Sequence, residues 1–395
     1  MKQLRKVFKF RMEPTGAQRE SLARMAGARR YVWNWALAQR NERYRTTGKG
    51  MPAAELSRRL TELKRQPETA WLNEVDSQAM QQVLKDLQRA HVNFFEKRAR
   101  HPRFKSRKKD KARFRIPQRV AVAEGRVYVP KVGLVGIRQS QPVDGATKSA
   151  TFKRDAAGNW DVTLVTEFEM PDTALPAADP LRVIGIDLGL KDFAVLSDGE
   201  RVAIPQFFRK AERKLRKAQR AFSRREKGSK RRLRAKRNVA LVHRKVANQR
   251  KDFVHKFTTG LVNQYDGICI EDLCVKGLAR TKLAGHAKSI LDAAFGETRR
   301  QLEYKTVWNR KHLAVVDRWY PSSKTCHVCG AVNHALTLAD RSWTCSGCGT
   351  HHDRDGNASF NIKAEGLVIL AAGHAESSKR AGSRCKTSAV GGSRC

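Results

Sequence analysis

The chain has 395 residues and carries 80 Lys and Arg against 38 Asp and Glu, a formal net charge of +42. That length allows two or three domains with real cores, and a charge excess of this size repels itself unless a polyanion is at hand, so nucleic acid is the expected partner. A membrane-surface or membrane-spanning protein is the other class such charge could indicate, but no apolar run is long enough to cross a bilayer and no apolar leader opens the chain. Nor do the cysteines form a secreted disulfide framework: four stand in two Cys-x-x-Cys pairs, and Cys269, Cys274, Cys385 and Cys395 are scattered. A reducing cytoplasm is the expected setting.

Residues 1–12 place Val7, Phe8, Phe10 and Met12 among Lys and Arg and predict a short basic strand. From Gln18 to about Arg45 the apolar residues recur at helical spacing, with Trp33 and Trp35 expected in the core or at an interface. A second helix is predicted over Ala53–Lys64. A third starts at Ser77 as N-cap and carries Met80, Val83, Leu84, Leu87, Phe94 and Phe95 on one side. The basic stretch 101–109 follows, with Arg103, Lys105, Arg107 and Lys108 expected to touch phosphates. Residues 112–170 then switch to alternating segments separated by Gly turns, which predicts a small antiparallel barrel or sheet. Counting residues 1–12 as a strand of it makes 13–111 a helical insertion. The Pro- and Ala-rich 171–180 is read as a linker.

Val183, Ile184 and Ile186 form an apolar, β-branched run that predicts a buried strand containing Asp187. A carboxylate there is costly unless a cation or hydrogen bonds hold it. It is either a metal ligand or simply a turn residue ahead of the next strand, Phe193–Leu196. Between Arg209 and Lys256 stand 21 Lys or Arg and three acids. Gly228-Ser229 divides this region into two predicted helices with a stripe that includes Leu215, Phe222, Leu233 and Val246. Arg224, Arg225, Arg231 and Arg232 are expected on a nucleic-acid backbone. Gly267–Glu271 is a second short strand ending in an acid. A helix over about Ser289–Arg310 and a strand Leu313–Asp317 complete an α/β layer pattern.

Cys326, Cys329, Cys345 and Cys348 form two knuckles with 15 residues between the pairs. Four thiolates close a tetrahedral shell, so this is a structural Zn²⁺ site and not a catalytic one. Directly after it, Asp353 is placed to cap a helix running through Ala364, with Asp355 in its first turn. Asp187, Glu271 and Asp355 together are a set of hard oxygen donors suited to two Mg²⁺ ions, which would promote in-line hydrolysis of a phosphodiester.

Arg30–Leu37, Phe94-Phe95 with 102–106, Gly185–Gly189, Ile270–Leu273, 321–326, both Cys pairs and Asp353–Ala358 stand in an order that resembles the TnpB family. These are RNA-guided DNA endonucleases of insertion sequences, related to type V CRISPR effectors. The resemblance runs over about residues 1–366. It implies a multidomain α+β fold. A wedge-like β-barrel (1–12 and 112–170) would carry a helical recognition insertion (13–111) and be joined by the linker to an RNase H-like (RuvC) α/β nuclease core (181–320 and 351–370). A zinc-ribbon insertion (321–350) and a disordered tail (371–395) complete it. It also implies that Asp187, Glu271 and Asp355 are the catalytic carboxylates, that the cysteines hold zinc, and that the partners are a guide RNA from the transposon end and double-stranded target DNA. The expected particle is a monomer bound to RNA in the bacterial cytoplasm, near the nucleoid, cutting DNA next to a short motif. A protein-only transposase and a nuclease-inactive DNA-binding regulator are the alternatives. Ser359 and Phe360 stand where Ala and a polar residue would be expected, and Asp353 is a rival to Asp355 as third ligand.

Overall fold

The computed structural model describes residues 1–171, 175, 178–280, 285–337 and 339–372. Of the tail expected to be disordered, 371–395, Ala371 instead ends a helix, and the rest from Gly373 on, like half of the linker stretch, lies outside the described residues. The chain divides into two compact units, Met1–Thr173 and Ala174–Cys395.

In the first unit, β1 (Lys2–Glu13) leads into α1 (Gly16–Thr47). Thr15 and Gln18 form a capping box at its start, and Gly48, at φ 64°, closes it in the left-handed region that glycine enters freely. Helices α2 (Ala53–Leu63) and α3 (Ser77–Phe95) follow. Asp76, not Ser77, caps α3: its carboxylate accepts from Ala79 N at 2.9 Å. Six strands follow: β2 (Arg113–Ile116), β3 (Val122–Ala123), β4 (Arg126–Val129), β5 (Gly133–Arg138), β6 (Ala146–Arg154) and β7 (Trp160–Met170). They join β1 in one antiparallel sheet of order β2-β6-β7-β1-β5-β4-β3. β1 therefore sits inside the sheet, with Val7 opposite Val165 and Met12 opposite Ile137.

Among the described residues no pairing joins β2 to β3, so the sheet is open and not the expected closed barrel. The edge strands span four and two residues, too short to pair across the tilt that closure demands. Its inward residues Phe8, Phe10, Phe114, Phe152 and Trp160 share one core with Leu22, Val32, Leu37, Leu56 and Leu84 of the helices.

The second unit is built on β8 (Val183–Asp187), β9 (Asp192–Leu196), β10 (Arg201–Ala203), β11 (Gly267–Glu271) and β12 (His312–Val316), in the order β10-β9-β8-β11-β12. β8, β11 and β12 are parallel, and β9 and β10 run antiparallel. The basic region is two helices, α4 (Phe207–Ser223) and α5 (Lys230–Gln264), split where expected, with Ser229 capping α5. A short α6 (Val275–Leu278) comes next.

The helix expected over 289–310 is in fact two, α7 (His286–Ala293) and α8 (Phe295–Trp308), broken at Ala294 with φ 61°. Buried Asp292 holds this break: its carboxylate accepts from Phe208 N at 2.8 Å and from Arg250 Nε at 2.7 Å. β13 (Ser342–Thr344) and β14 (His351–Asp353) form a small hairpin ahead of α9 (Arg354–Ala371), which runs past Ala364. Among the described residues no helix is long and apolar enough to cross a membrane.

Because side chains alternate along a strand, the sheet buries two faces. Ile184, Ile186, Phe193, Ile268 and Ile270 pack with Leu261, Phe295 and Leu302 of α5 and α8. Val183, Cys269, Ala314 and Val316 pack with Ile362 of α9. Helix α9 lies so close to β8 that a Cβ on Gly185 would come 2.2 Å from Ser359 O. Gly185 is therefore required by helix–strand contact. Gly185→Ala forces backbone against backbone and is expected to destabilise the fold by about 3 kcal/mol or more, measured as a shift of the urea midpoint.

Candidate active site and metal centre

Asp187 ends β8 and Glu271 ends β11, its parallel neighbour, one step beyond the registered pair Ile186–Ile270. Two carboxylates thus leave the same end of adjacent strands. This is where open α/β sheets collect functional groups. Asp355 comes from the first turn of α9, which the Gly185 contact presses onto the same sheet. Burial, then the nearby Asp355 and Glu271 charges, push the Asp187 carboxyl up to about 7. Burial, then Asp272, raises Glu271 as well. The structure brings all three predicted acids to one electrostatic neighbourhood, where like charges accumulate without enough compensation.

The rival Asp353 is otherwise engaged. Its Oδ1 accepts from Gly356 N at 2.8 Å as the helix cap and from Arg201 Nη2 at 2.6 Å. Asp355 is approached by Arg354 Nε at 3.4 Å. A neighbouring network was not foreseen: Asp272 pairs with both Arg299 and Arg318, and its N–H donates to Val316 O at 2.9 Å. Standing directly after Glu271, it fixes the end of β11. Its position beside a candidate acid was the only signal.

The four cysteines are the one group of metal-ligating side chains, among the described residues, whose ligand atoms all lie within 4.8 Å of one another; the three carboxylates are not gathered that closely. Cys326 Sγ is 3.7 Å from Cys348 Sγ, and Cys329 Sγ is 3.5 Å from Cys345 Sγ. Thiolates about 2.3 Å from a tetrahedral zinc stand about 3.8 Å apart, so the quartet fits that ion. Gly347 N donates to Cys345 Sγ at 3.4 Å. Contacts from Thr350 lower the Cys348 thiol, whereas Cys329, against a lowering contact from the Ala331 backbone, is raised by the other three sulfurs around it, so the quartet holds protons that a bound metal would displace.

His352, 2% exposed, places Nε2 3.1 Å from Cys326 Sγ. Asn357 and Asn361, four apart on α9, donate to Thr325 O at 2.7 and 2.6 Å, and Asn361 also reaches Ser322 O at 2.8 Å. They tie the first knuckle to the helix that carries Asp355. The two unexpected residues fit here too: Ser359 is fully buried against β8, and Phe360 stacks on the His327 ring at 4.7 Å.

The basic candidates separate into two groups. Lys105 Nζ lies 3.2 Å from the centre of the Trp33 ring, while its backbone N–H and C=O are both held by Asn34. Burial lowers its amine to about 8. Arg232 stacks on Phe222 at 4.3 Å and donates to the Phe222 and Arg225 carbonyls, pinning the α4–α5 turn. Arg103 bridges to Asp110 at 3.2 Å. Lys105 and Arg232 are thus engaged within the fold. Arg107, Lys108, Arg224, Arg225 and Arg231 are exposed. Leu233, expected in the apolar stripe, is 62% exposed. If these arginines follow phosphates as expected, replacing Arg224, Arg225 and Arg231 together with Gln should weaken nucleic-acid binding and flatten the log Kd against log salt slope by about 2–3, at roughly 0.7–0.9 per phosphate contact.

Residues 163–282 match a family described as "Probable transposase" (OrfB_IS605), residues 295–362 the TNB domain of Cas12f1-like proteins, and residues 1–49 a helix-turn-helix domain. In this chain those last residues are one strand and one unbroken helix. A Streptomyces pristinaespiralis protein named "Putative RNA-guided DNA endonuclease" is 41% identical over 99% of this chain and 96% of its own length. The Escherichia coli K12 protein of the same name, InsQ, is 36% identical over 96% of each. Among solved structures, a Cas12f1–sgRNA–target DNA complex matches with a TM-score of 0.51 at 14% identity, covering 91% of this chain and 99% of that one, a likeness of fold.

Proposed function

The chain belongs to the TnpB family of insertion-sequence proteins, and from that premise we propose that it is an RNA-guided DNA endonuclease. The observation that carries this reading is the meeting of Asp187, Glu271 and Asp355 at one end of a sheet, with the Asp187 carboxyl driven up to about 7. Carboxylates that share one electrostatic neighbourhood in this way are the hard oxygen set that Mg²⁺ takes. Asp187, Glu271 and Asp355 would hold two such ions, and Cys326, Cys329, Cys345 and Cys348 one structural zinc. Bound there, Mg²⁺ would activate water and neutralise charge on the scissile phosphate.

The chain's own residues do the rest. Asp272, Arg299 and Arg318 hold the end of β11 and so orient Glu271. Arg201 keeps Asp353 out of the ligand set. The α9–zinc connection sets the position of Asp355. The exposed arginines of α4 and α5 would follow a nucleic-acid backbone without reading its sequence. Base pairing with a guide RNA from the transposon end would supply specificity, and the first unit's sheet and helices would read a short motif beside the target. The product would carry a 5′-phosphate and a 3′-hydroxyl, and the working particle would be one chain with its RNA.

The match to a family described as a transposase keeps a protein-only strand-transfer reading in view. Sequencing the RNA that copurifies with the protein, expressed beside its flanking DNA, separates the two. One discrete RNA with a variable end is expected. Mixed background RNA that high salt removes without loss of metal-dependent cutting would overturn the guided reading.

A further inference from the structure

The turn that follows β12 uses almost every side chain it has. Asp317 Oδ1 accepts from Trp319 N at 2.8 Å, and Asp317 O from Tyr320 N at 3.1 Å, which closes the turn. Arg318 pairs with Asp272, the residue after Glu271. Tyr320 packs into the core under α9, beside Val183, Val316 and Ile362. The Ser322 carbonyl accepts from Asn361 on α9. The turn is thereby fastened both to the strand end bearing Glu271 and to the helix bearing Asp355. Glu271 is registered against Val316, three residues before Trp319. Trp319 itself is 84% exposed.

A fold that leaves its largest apolar side chain in water normally leaves it on a loose segment. Here the backbone beneath it is fixed on both sides, to the strand that ends in Glu271 and to the helix that carries Asp355 in its first turn. An indole face held in this way suits an unpaired nucleobase, which stacks on an exposed aromatic ring; Arg299 and Arg318 beside it are paired with Asp272 and Glu303 and serve to fix the turn. Bases within a duplex already stack on each other and leave no face for it.

We propose that Trp319 is a positioning residue that stacks on a base of the single-stranded DNA lying across the three carboxylates, fixing which phosphodiester reaches them. This rests on the nuclease reading above and adds to it the residue that registers the DNA strand.

The test uses the full protein with its guide RNA. In an Asp187→Ala background, 2-aminopurine is moved base by base along the strand to be cut. Quenching is expected at one position close to the cut, lost in Trp319→Ala and kept in Trp319→Phe. In the cutting protein, Trp319→Ala should lower kcat/KM about tenfold, within the range of one lost base stack, and Trp319→Phe should retain most of it. An abasic nucleotide at the quenched position should cost the wild type as much and cost Trp319→Ala nothing further. Unchanged kcat/KM in Trp319→Ala, or an abasic penalty as large in the variant as in the wild type, would overturn the proposal. Failure of the nuclease reading itself registers differently: the wild type would then cut no guided DNA, whatever stands at position 319.

Discussion

Asp187→Ala is expected to abolish guided DNA cleavage, by on the order of 10³-fold or more, while RNA and target binding stay within about twofold. Binding of nucleic acid rests on backbone charge contacts made elsewhere; the chemistry rests on the carboxylates. Cleavage that survives this change would mean the site is misassigned. The same residue carries a pH signature. Its folded carboxyl is raised to about 7 by burial and by its acidic neighbours, against about 4 in an unfolded chain. The protonated form is therefore favoured by folding. That stabilisation is complete below about pH 4 and is lost as pH rises to about 7. Metal-free protein should accordingly show a Tm that falls over this window relative to Asp187→Asn, which has no proton to lose. Mg²⁺ should restore wild-type Tm above pH 7 and do little for the variant. A wild-type minus variant difference that is flat with pH would rule out the crowding of charge described here.

The second large effect is expected at the cysteines. Structural zinc in small modules contributes apparent free energies of about 10–16 kcal/mol, and here the module does not stand alone. Asn357 and Asn361 couple the Cys326 knuckle to α9, so its loss reaches Asp355 through one helix. Cys326→Ser should release zinc, lower the Tm of the second unit and remove cleavage together, and added Mg²⁺ should not rescue it. Elemental analysis of the purified protein, with cleavage assayed before and after strong chelation, checks this. Full cleavage by zinc-free protein would refute the coupling.

The candidate acids were legible because each breaks a local pattern. Asp187 and Glu271 each end a short β-branched run, and Asp355 follows a helix cap; these are features a few residues long. The two Cys-x-x-Cys pairs are legible for the same reason. What the sequence could not display was decided across the fold. Gly185 stands inside a predicted strand with nothing local to require it, yet it is required by Ser359 on a helix more than 170 residues later in the chain. Lys105 and Arg232 look like phosphate contacts by composition, but an indole and a phenyl ring from other helices engage them. The break at Ala294 is announced by no Gly or Pro at that position, and buried Asp292 beside it is held by long-range bonds to Phe208 and Arg250. The sheet of the first unit was expected to close, and its length in strands gave no warning that β2 and β3 are too short to meet.

The place of β1 inside that sheet bears on how the protein is made. Its partners in β7 are translated roughly 150 residues after it, which at about 5–20 residues per second is roughly 8–30 s. Through that interval Phe8 and Phe10 lack the strand they pair with, since β5, made shortly before β7, pairs only with Arg11, Met12 and Glu13. The helices α1 to α3 are complete much earlier and present the apolar surface that these rings later share. Nascent chains arrested before β7 should thus expose a sticky strand edge and draw on holding chaperones, and release should coincide with synthesis of residues 160–170.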